Sequence, residues 1–172
     1  MDYFQYFDLN PTFQIDLNEL RKRYYQKSKE LHPDFNANNI IEDADYLTAL
    51  NNQAYQVLQD PVARLKYLIE SIKGPIPDQH QILPQDFLME MLELHESIYE
   101  SKENLNHSEL EKHKVQLEAY EKQAFQTIEN AIHEFDNGNR SDSILNEMTF
   151  YYFKLKYFRR LRQTLTGSSI EM

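Results

Sequence analysis

His32, Pro33 and Asp34 stand together in this chain, and an imidazole two residues from a carboxylate is the pair here that most resembles proton-transfer machinery. A hydrolase built on His32 and Asp34 would also need a nucleophile, a metal or a phosphate-cradling loop. The chain has no cysteine, which removes thiolate nucleophiles, disulfides, thiolate zinc sites and clusters held by its own sulfur. Its glycines, Gly74, Gly138 and Gly167, are too far apart for a phosphate loop. The other histidines, at 80, 95, 107, 113 and 133, show neither HExxH spacing nor a convergent set of carboxylates. No catalytic residue, metal ligand or cofactor is therefore expected. Without context the tripeptide reads as a turn, since Pro33 biases the residue before it out of the helical region.

The flanks supply that context. Residues 16–19, Asp-Leu-Asn-Glu, open a helix in the manner of a capping box. Leu17, Leu20, Tyr24, Ser28 and Leu31 then share one stripe at spacings of three and four, the expected core face. At about 100° per residue, Arg21, Lys22, Tyr25 and Lys29 fall together on one flank of it, with Arg23 and Lys27 on the other. The bland reading is a solvated helix face, and the functional one is a docking surface for an acidic partner. A second helix is expected over residues 42–59, with Leu47, Leu50, Ala54, Val57 and Leu58 on one side. Asp60 and Pro61 end it and start a shorter one carrying Leu65, Leu68, Ile69 and Ile72, which Gly74-Pro75-Ile76-Pro77 stops.

With 18 basic against 28 acidic residues, the net charge of −10 argues against a nucleic-acid footprint. The N-terminal residues carry no secretion or organellar leader pattern, and no stretch approaches the roughly 18 apolar residues of a membrane span. A cytoplasmic chain is expected. Sparse glycine and abundant Leu, Glu, Lys and Gln point to an all-α protein.

The order and spacing of Asp2-Tyr3-Phe4 to Leu9, the basic helix, Leu31-His32-Pro33-Asp34, and the run from Leu50 to Pro61 with Arg64 and Tyr67 resemble the J-domain family. Two departures show: Asp8 where many J-domains carry glycine, and Phe35 where a basic residue is common. The resemblance implies a helical hairpin whose His32, Pro33 and Asp34 loop engages a DnaK-class chaperone and stimulates its ATP hydrolysis. It also implies that Arg21, Lys22, Tyr25 and Lys29 form the docking face. The domains are then expected as a J-domain over residues 1–73, a Gly/Pro linker over 74–83, and a second domain over 84–168.

In that second domain helical periodicity recurs over residues 84–101, from a capping box at Ser108-Glu109-Leu110-Glu111 to Phe135, and over 141–166. Short connections predict an antiparallel three-helix bundle. Phe87, Met91, Leu94 and Ile98 suffice for the first helix's core face. Leu88, Met89 and Leu92 point elsewhere, bordered by Glu93, Glu96 and Glu100. The bland reading is a wide core face with surface acids; an exposed Leu/Met strip edged by carboxylates reads more naturally as a protein-binding site. On the third helix Ile144, Met148, Tyr151, Leu155, Phe158 and Arg162 mark the inward stripe, with Arg162 at the rim. Phe150, Phe153 and Tyr157 are left as aromatic surface on the opposite face.

Phe87-Leu88-Met89-Glu90-Met91-Leu92-Glu93-Leu94 and Lys154-Leu155-Lys156-Tyr157 resemble the C-terminal domain of the HscB family, J-proteins of iron–sulfur cluster assembly. That resemblance implies pairing with the chaperone HscA, or DnaK, and delivery to it of the cluster scaffold IscU. It assigns scaffold contacts to Leu88, Met89, Leu92, Glu93, Glu96, Glu100 and Tyr157, the last standing where the family usually has Phe. Lacking the leader and cysteine-rich extension of eukaryotic relatives, the chain is expected to be the bacterial form, with monomer as the default state. The alternatives are a general J-protein with another client, which the absence of Gly/Phe-rich and zinc modules opposes, and the hydrolase reading of His32 and Asp34.

Overall fold

The computed structural model describes residues 2–32, 43–76 and 83–167, and every regular element among them is a helix. The helices are α1 (Tyr3–Tyr6), α2 (Leu17–Leu31), α3 (Ala44–Gln59), α4 (Pro61–Lys73), α5 (Gln85–Glu103), α6 (His107–Asp136) and α7 (Asp142–Thr166). They divide into two compact units, Met1–Gly74 with Phe135–Gly138, and Pro75–Glu134 with Asn139–Met172.

In the first unit α2 starts where the Asp16 carboxylate accepts from the N–H groups of Asn18 and Glu19. Asp60 caps α4 through Ala63 N–H, with Pro61 in the first helical position, where a missing N–H costs nothing. The helices α2 and α3 form the hairpin: Tyr24 stacks on Tyr55 at 4.2 Å and donates its hydroxyl to Asn52. Leu20, Leu50, Ala54, Leu58, Leu65, Leu68 and Ile69 join Phe4, Phe7 and Phe13 in the core, each large side chain stabilising by about 1.5–3 kcal/mol. Two expected core members are not there. Leu17, in the first turn of α2, is 52% exposed, and Ile72 in the last turn of α4 is also exposed. Both stripes run on past the point where the opposing helix can cover them.

Two residues quoted for the J-domain resemblance hold this unit together. Arg64 is buried, its guanidinium donating to the carbonyls of Phe13 (2.8 Å) and Leu58 and lying over the Phe13 ring. Burial lowers its pKa, and Asp60 and Asp136 oppose that. The Asp136 carboxylate, in the run that clusters with this unit, accepts from Phe13 and Gln14 N–H at 2.6 and 3.0 Å. Tyr67 stacks on Tyr3 at 4.6 Å, and its hydroxyl accepts from Tyr3 N–H and donates to Asp2. Asp8 has φ 51, in the left-handed region. That conformation explains why glycine serves at this position elsewhere: it carries no Cβ to strain.

The second unit contains α5, α7 and most of α6. Consecutive helices run antiparallel: Ser101 near the end of α5 meets His113 near the start of α6 at 3.2 Å, and Phe125 of α6 meets Tyr151 of α7. Met91, Leu94 and Ile98 of α5, Leu117, Ala124 and Ile128 of α6, and Leu145, Met148, Tyr151, Phe158 and Leu161 of α7 are all buried. The start of α6 differs from the expected capping box. Asn106, not Ser108, caps it, its side chain accepting from Glu109 N–H, so the helix begins at His107. Glu109 instead pairs with Lys112 at 2.6 Å, which lowers its pKa. On α7, Phe153 is 3% exposed and belongs to the packed interior, not to an aromatic surface. A wheel centred on one stripe misplaced it because α7 buries a broad arc: Tyr151, Tyr152 and Phe153 are consecutive and all buried. Arg162 lies exposed and grips Glu121 through Nε (2.8 Å) and a second guanidinium nitrogen.

Candidate functional site

On the hairpin, the basic residues of α2 separate into two groups by what they touch. Arg23 donates to the carbonyls of Phe7 (2.6 Å) and Asp8 (2.7 Å) and to Glu19 (2.8 Å). Lys27 lies over the Tyr6 ring, 4.7 Å from its centroid. Both are taken up by the end of α1 and the turn that follows it. Arg21, Lys22, Tyr25 and Lys29 are all exposed, Tyr25 by 57%, with Arg21 over the Tyr25 ring at 5.8 Å. Lys22 approaches Glu19 at only 4.0 Å in open solvent, a contact of little energetic weight. The structure therefore brings these four onto one solvent-facing surface.

That surface runs to the end of α2, where His32 is the C-cap. Its backbone turns extended, with φ −72 and ψ 133, as a residue before proline must, and its N–H donates to Lys29 carbonyl at 3.2 Å. The ring is exposed. Pro33, Asp34 and Phe35 lie outside the described residues.

Asn51 is a hairpin residue that periodicity did not single out. It is buried on α3 and donates its amide to Ser28 Oγ (2.8 Å) and to Tyr24 carbonyl, while its own side-chain oxygen has no partner among the described residues. A polar residue on an otherwise apolar helix face was the available signal.

In the second unit, Met89 and Leu92 stand half out of the α5 surface, 51% and 52% exposed, with Leu88 half-buried. Glu93, Glu96 and Glu100 are exposed on the same helix. Tyr157 of α7 meets Phe87 edge-on at 6.1 Å, and Phe87 also meets Phe158. The structure thus places Tyr157 against the residue that precedes Leu88. Lys154 holds its ammonium between Phe87 and Phe150, at 5.3 and 5.0 Å from the two ring centroids. Burial there lowers its pKa, against the pull of Asp86 and Glu90. Residues 154–162 hold five of the chain's 18 Lys and Arg residues, a dense run of cations in an acidic protein.

The helical hairpin with His32 at its turn, followed by a separate helical unit, defines a J-domain protein with a second domain of its own. The DnaJ domain family matches residues 2–67, and the family described as HSCB C-terminal oligomerisation domain matches residues 83–166. The chain belongs to the HscB family. It is 28% identical over 154 residues to the human iron-sulfur cluster co-chaperone protein HscB, covering 87% of this chain and 64% of the relative. It is 33% identical over 112 residues to the co-chaperone protein HscB homolog of Colwellia psychrerythraea, covering 63% and 62%. The chain thus spans less than two thirds of the length of these curated relatives. The crystal structure of human co-chaperone protein HscB superimposes with a TM-score of 0.82 at 23% identity, covering 97% of this chain and 81% of that one, a likeness of fold. Chaperone HscB from Vibrio cholerae gives a TM-score of 0.67 at 27% identity, covering 97% and 96%.

Proposed function

We propose that this chain is a co-chaperone of iron–sulfur cluster assembly. Its J-domain stimulates ATP hydrolysis by a DnaK-class chaperone of the HscA type, and its second domain brings that chaperone the scaffold IscU. The observation that carries the reading is the presence in one chain of two partner surfaces of different chemistry. One is cationic and ends at His32; the other is an exposed Met89/Leu92 strip edged by Glu93, Glu96 and Glu100. Exposed charge steers a fast, salt-sensitive encounter, as a catalytic visitor to a chaperone needs. A half-exposed apolar strip supplies the longer-lived contact that a delivered client needs.

On this reading the chain itself performs no chemistry and works in the cytoplasm as a monomer, a state that light scattering measures directly. No helix among the described residues is long and apolar enough to cross a membrane.

The test is steady-state ATP hydrolysis by HscA or DnaK with this protein and IscU, singly and together. Both together stimulate best, and His32→Gln removes this chain's contribution while its circular dichroism stays unchanged. Full stimulation by that variant would overturn the loop assignment. Leu88→Ala with Leu92→Ala weakens IscU binding about tenfold or more and spares stimulation by the J-domain alone, since two truncated anchors cost about 1–2 kcal/mol. Stimulation by the J-domain with unaltered dependence on any IscU would instead favour a general J-protein with another client.

A further inference from the structure

Beside Tyr157 lie two hollows that share one residue, Arg160, one on the surface of α7 alone and the other between α5 and α7. A notch of about 80 Å³ is lined by Phe153, Lys156, Tyr157 and Arg160, with no acid in its wall. A larger hollow of about 510 Å³ lies between the ends of α5 and α7, where Tyr99, Lys102 and Glu103 face Arg160 and Gln163. Lys102 is already engaged there, donating to the Thr164 carbonyl. Among the described residues the Arg160 guanidinium has no ion pair, hydrogen bond or ring contact, and it is exposed. Arg162, two residues on, is by contrast gripped by Glu121.

Arg160 presents an exposed guanidinium to two hollows, one also lined by Tyr99 and the other by Tyr157. Carboxylate is the group whose geometry matches it, through two parallel N–H···O bonds. The charges lining the two hollows agree: Lys102, Lys156 and Arg160 stand against the single Glu103. The rest of the α5 strip has the opposite sign, with Glu93, Glu96 and Glu100 bordering Met89 and Leu92. Through Tyr157 and Phe87 the two surfaces are continuous.

We propose that Arg160, which lines one hollow with Tyr99 and another with Tyr157, receives a carboxylate of the scaffold client, extending the client surface from the α5 strip onto α7. The inference rests on the scaffold reading above and deepens it. It assigns the client a polarity: basic groups toward Glu93, Glu96 and Glu100, and an acidic side chain at the α7 edge. Opposite charges at the two edges of one apolar strip orient the client as well as hold it, because the reversed pose sets like charges together.

IscU affinity measured by calorimetry at two or more salt concentrations tests this, on the full chain. Arg160→Ala weakens binding about tenfold and flattens its salt dependence, whereas Arg160→Lys recovers only part, since the point charge lacks the fork. Among the described residues the Arg160 guanidinium makes no hydrogen bond, ion pair or ring contact, so the thermal midpoint and the J-domain's stimulation of the chaperone stay unchanged. Tyr99→Ser, in the same hollow, weakens binding independently. Replacing IscU surface acids singly by their amides identifies the partner: for one of them the loss and the Arg160→Ala loss overlap by fivefold or more. Normal affinity for Arg160→Ala, with the Leu88/Leu92 variant weakened, overturns this inference and leaves the scaffold reading intact. So does the failure of every IscU acid to couple. Normal affinity for the leucine variant as well overturns both.

Discussion

Replacing Arg23 and Arg21 by alanine, one at a time, separates the structural cations of α2 from the docking ones. The Arg23 guanidinium makes three hydrogen bonds, to Phe7 and Asp8 carbonyls and to Glu19, at 2.6 to 2.8 Å. A hydrogen bond to a charged group contributes about 1.5–3 kcal/mol when buried. These are partly exposed, and water replaces them in part. About 2 kcal/mol in total is the expected cost, which for a unit of this size lowers the melting midpoint by about 8–16 °C. Among the described residues Arg21 makes only a cation–π contact, with an exposed Tyr25, so its loss stays within about 0.5 kcal/mol.

Function runs the other way. Arg21→Ala raises the concentration of this protein needed for half-maximal chaperone stimulation by about fivefold, corresponding to about 1 kcal/mol of lost attraction. Arg23→Ala, measured at a temperature where it remains folded, leaves it nearly unchanged. Urea denaturation and the chaperone ATPase titration together check both halves. An Arg23→Ala protein as stable as the parent, and as poor in the titration as Arg21→Ala, would refute the division of α2 into a packed and a docking flank.

Three further perturbations follow from the geometry. Asn51→Leu removes a buried carbonyl oxygen that has no partner and leaves Ser28 Oγ still donating to Tyr24, so stability rises by about 1 kcal/mol in urea denaturation; a fall would show the amide bonds outweigh the orphaned oxygen. Leu105 follows the C-cap of α5 at φ 51 and is 76% exposed, so Leu105→Gly relieves left-handed strain at no cost in packing and raises the second unit's melting midpoint by a few degrees. Tyr151, pushed up to about 12 by burial and then by Glu121, keeps its proton in the folded chain above pH 10, where an unfolded tyrosine loses it. The contribution is intact below pH 10 and is lost as pH rises from there toward 12, so Tyr151→Phe flattens the fall in stability across that window; equal slopes for the two proteins would refute it.

How much of the fold could be read from sequence depended on whether a signal was local. Asp60-Pro61 and Gly74 mark helix boundaries through their own backbone chemistry, and the structure places a boundary at each. The boundary at Ser108 was misread because Asn106 offers the same capping chemistry two residues earlier, and only the turn through Leu105 selects between them. Leu17 and Ile72 show the limit of periodicity: a stripe gives the direction of the core, not the length over which another helix covers it. The separate placement of residues 135–138 with the first unit has no local sign, since Asp136 serves N–H groups more than a hundred residues away.

For the candidate surfaces the same distinction holds at the level of single charges. Spacing alone divides the cations of α2 between two flanks, but it assigns neither flank a task. That comes from Tyr6, Phe7 and Asp8, which take up Lys27 and Arg23 and leave Arg21 and Lys22 toward solvent. Asp8 is the instructive residue: a departure from the glycine common at this position, it adopts the left-handed backbone that glycine would, and Arg23 binds the carbonyl that this conformation presents. A substitution and a cation fifteen positions apart thus belong to one device, and each looks unremarkable without the other. Arg160 is the converse case. Its neighbours on α7 announce themselves as aromatic or basic, yet what distinguishes it is the absence of a partner such as the Glu121 that takes Arg162, and a missing contact leaves no trace in spacing. Surfaces that bind partners are assembled from side chains the fold does not use, so they become visible only after the internal contacts have been assigned.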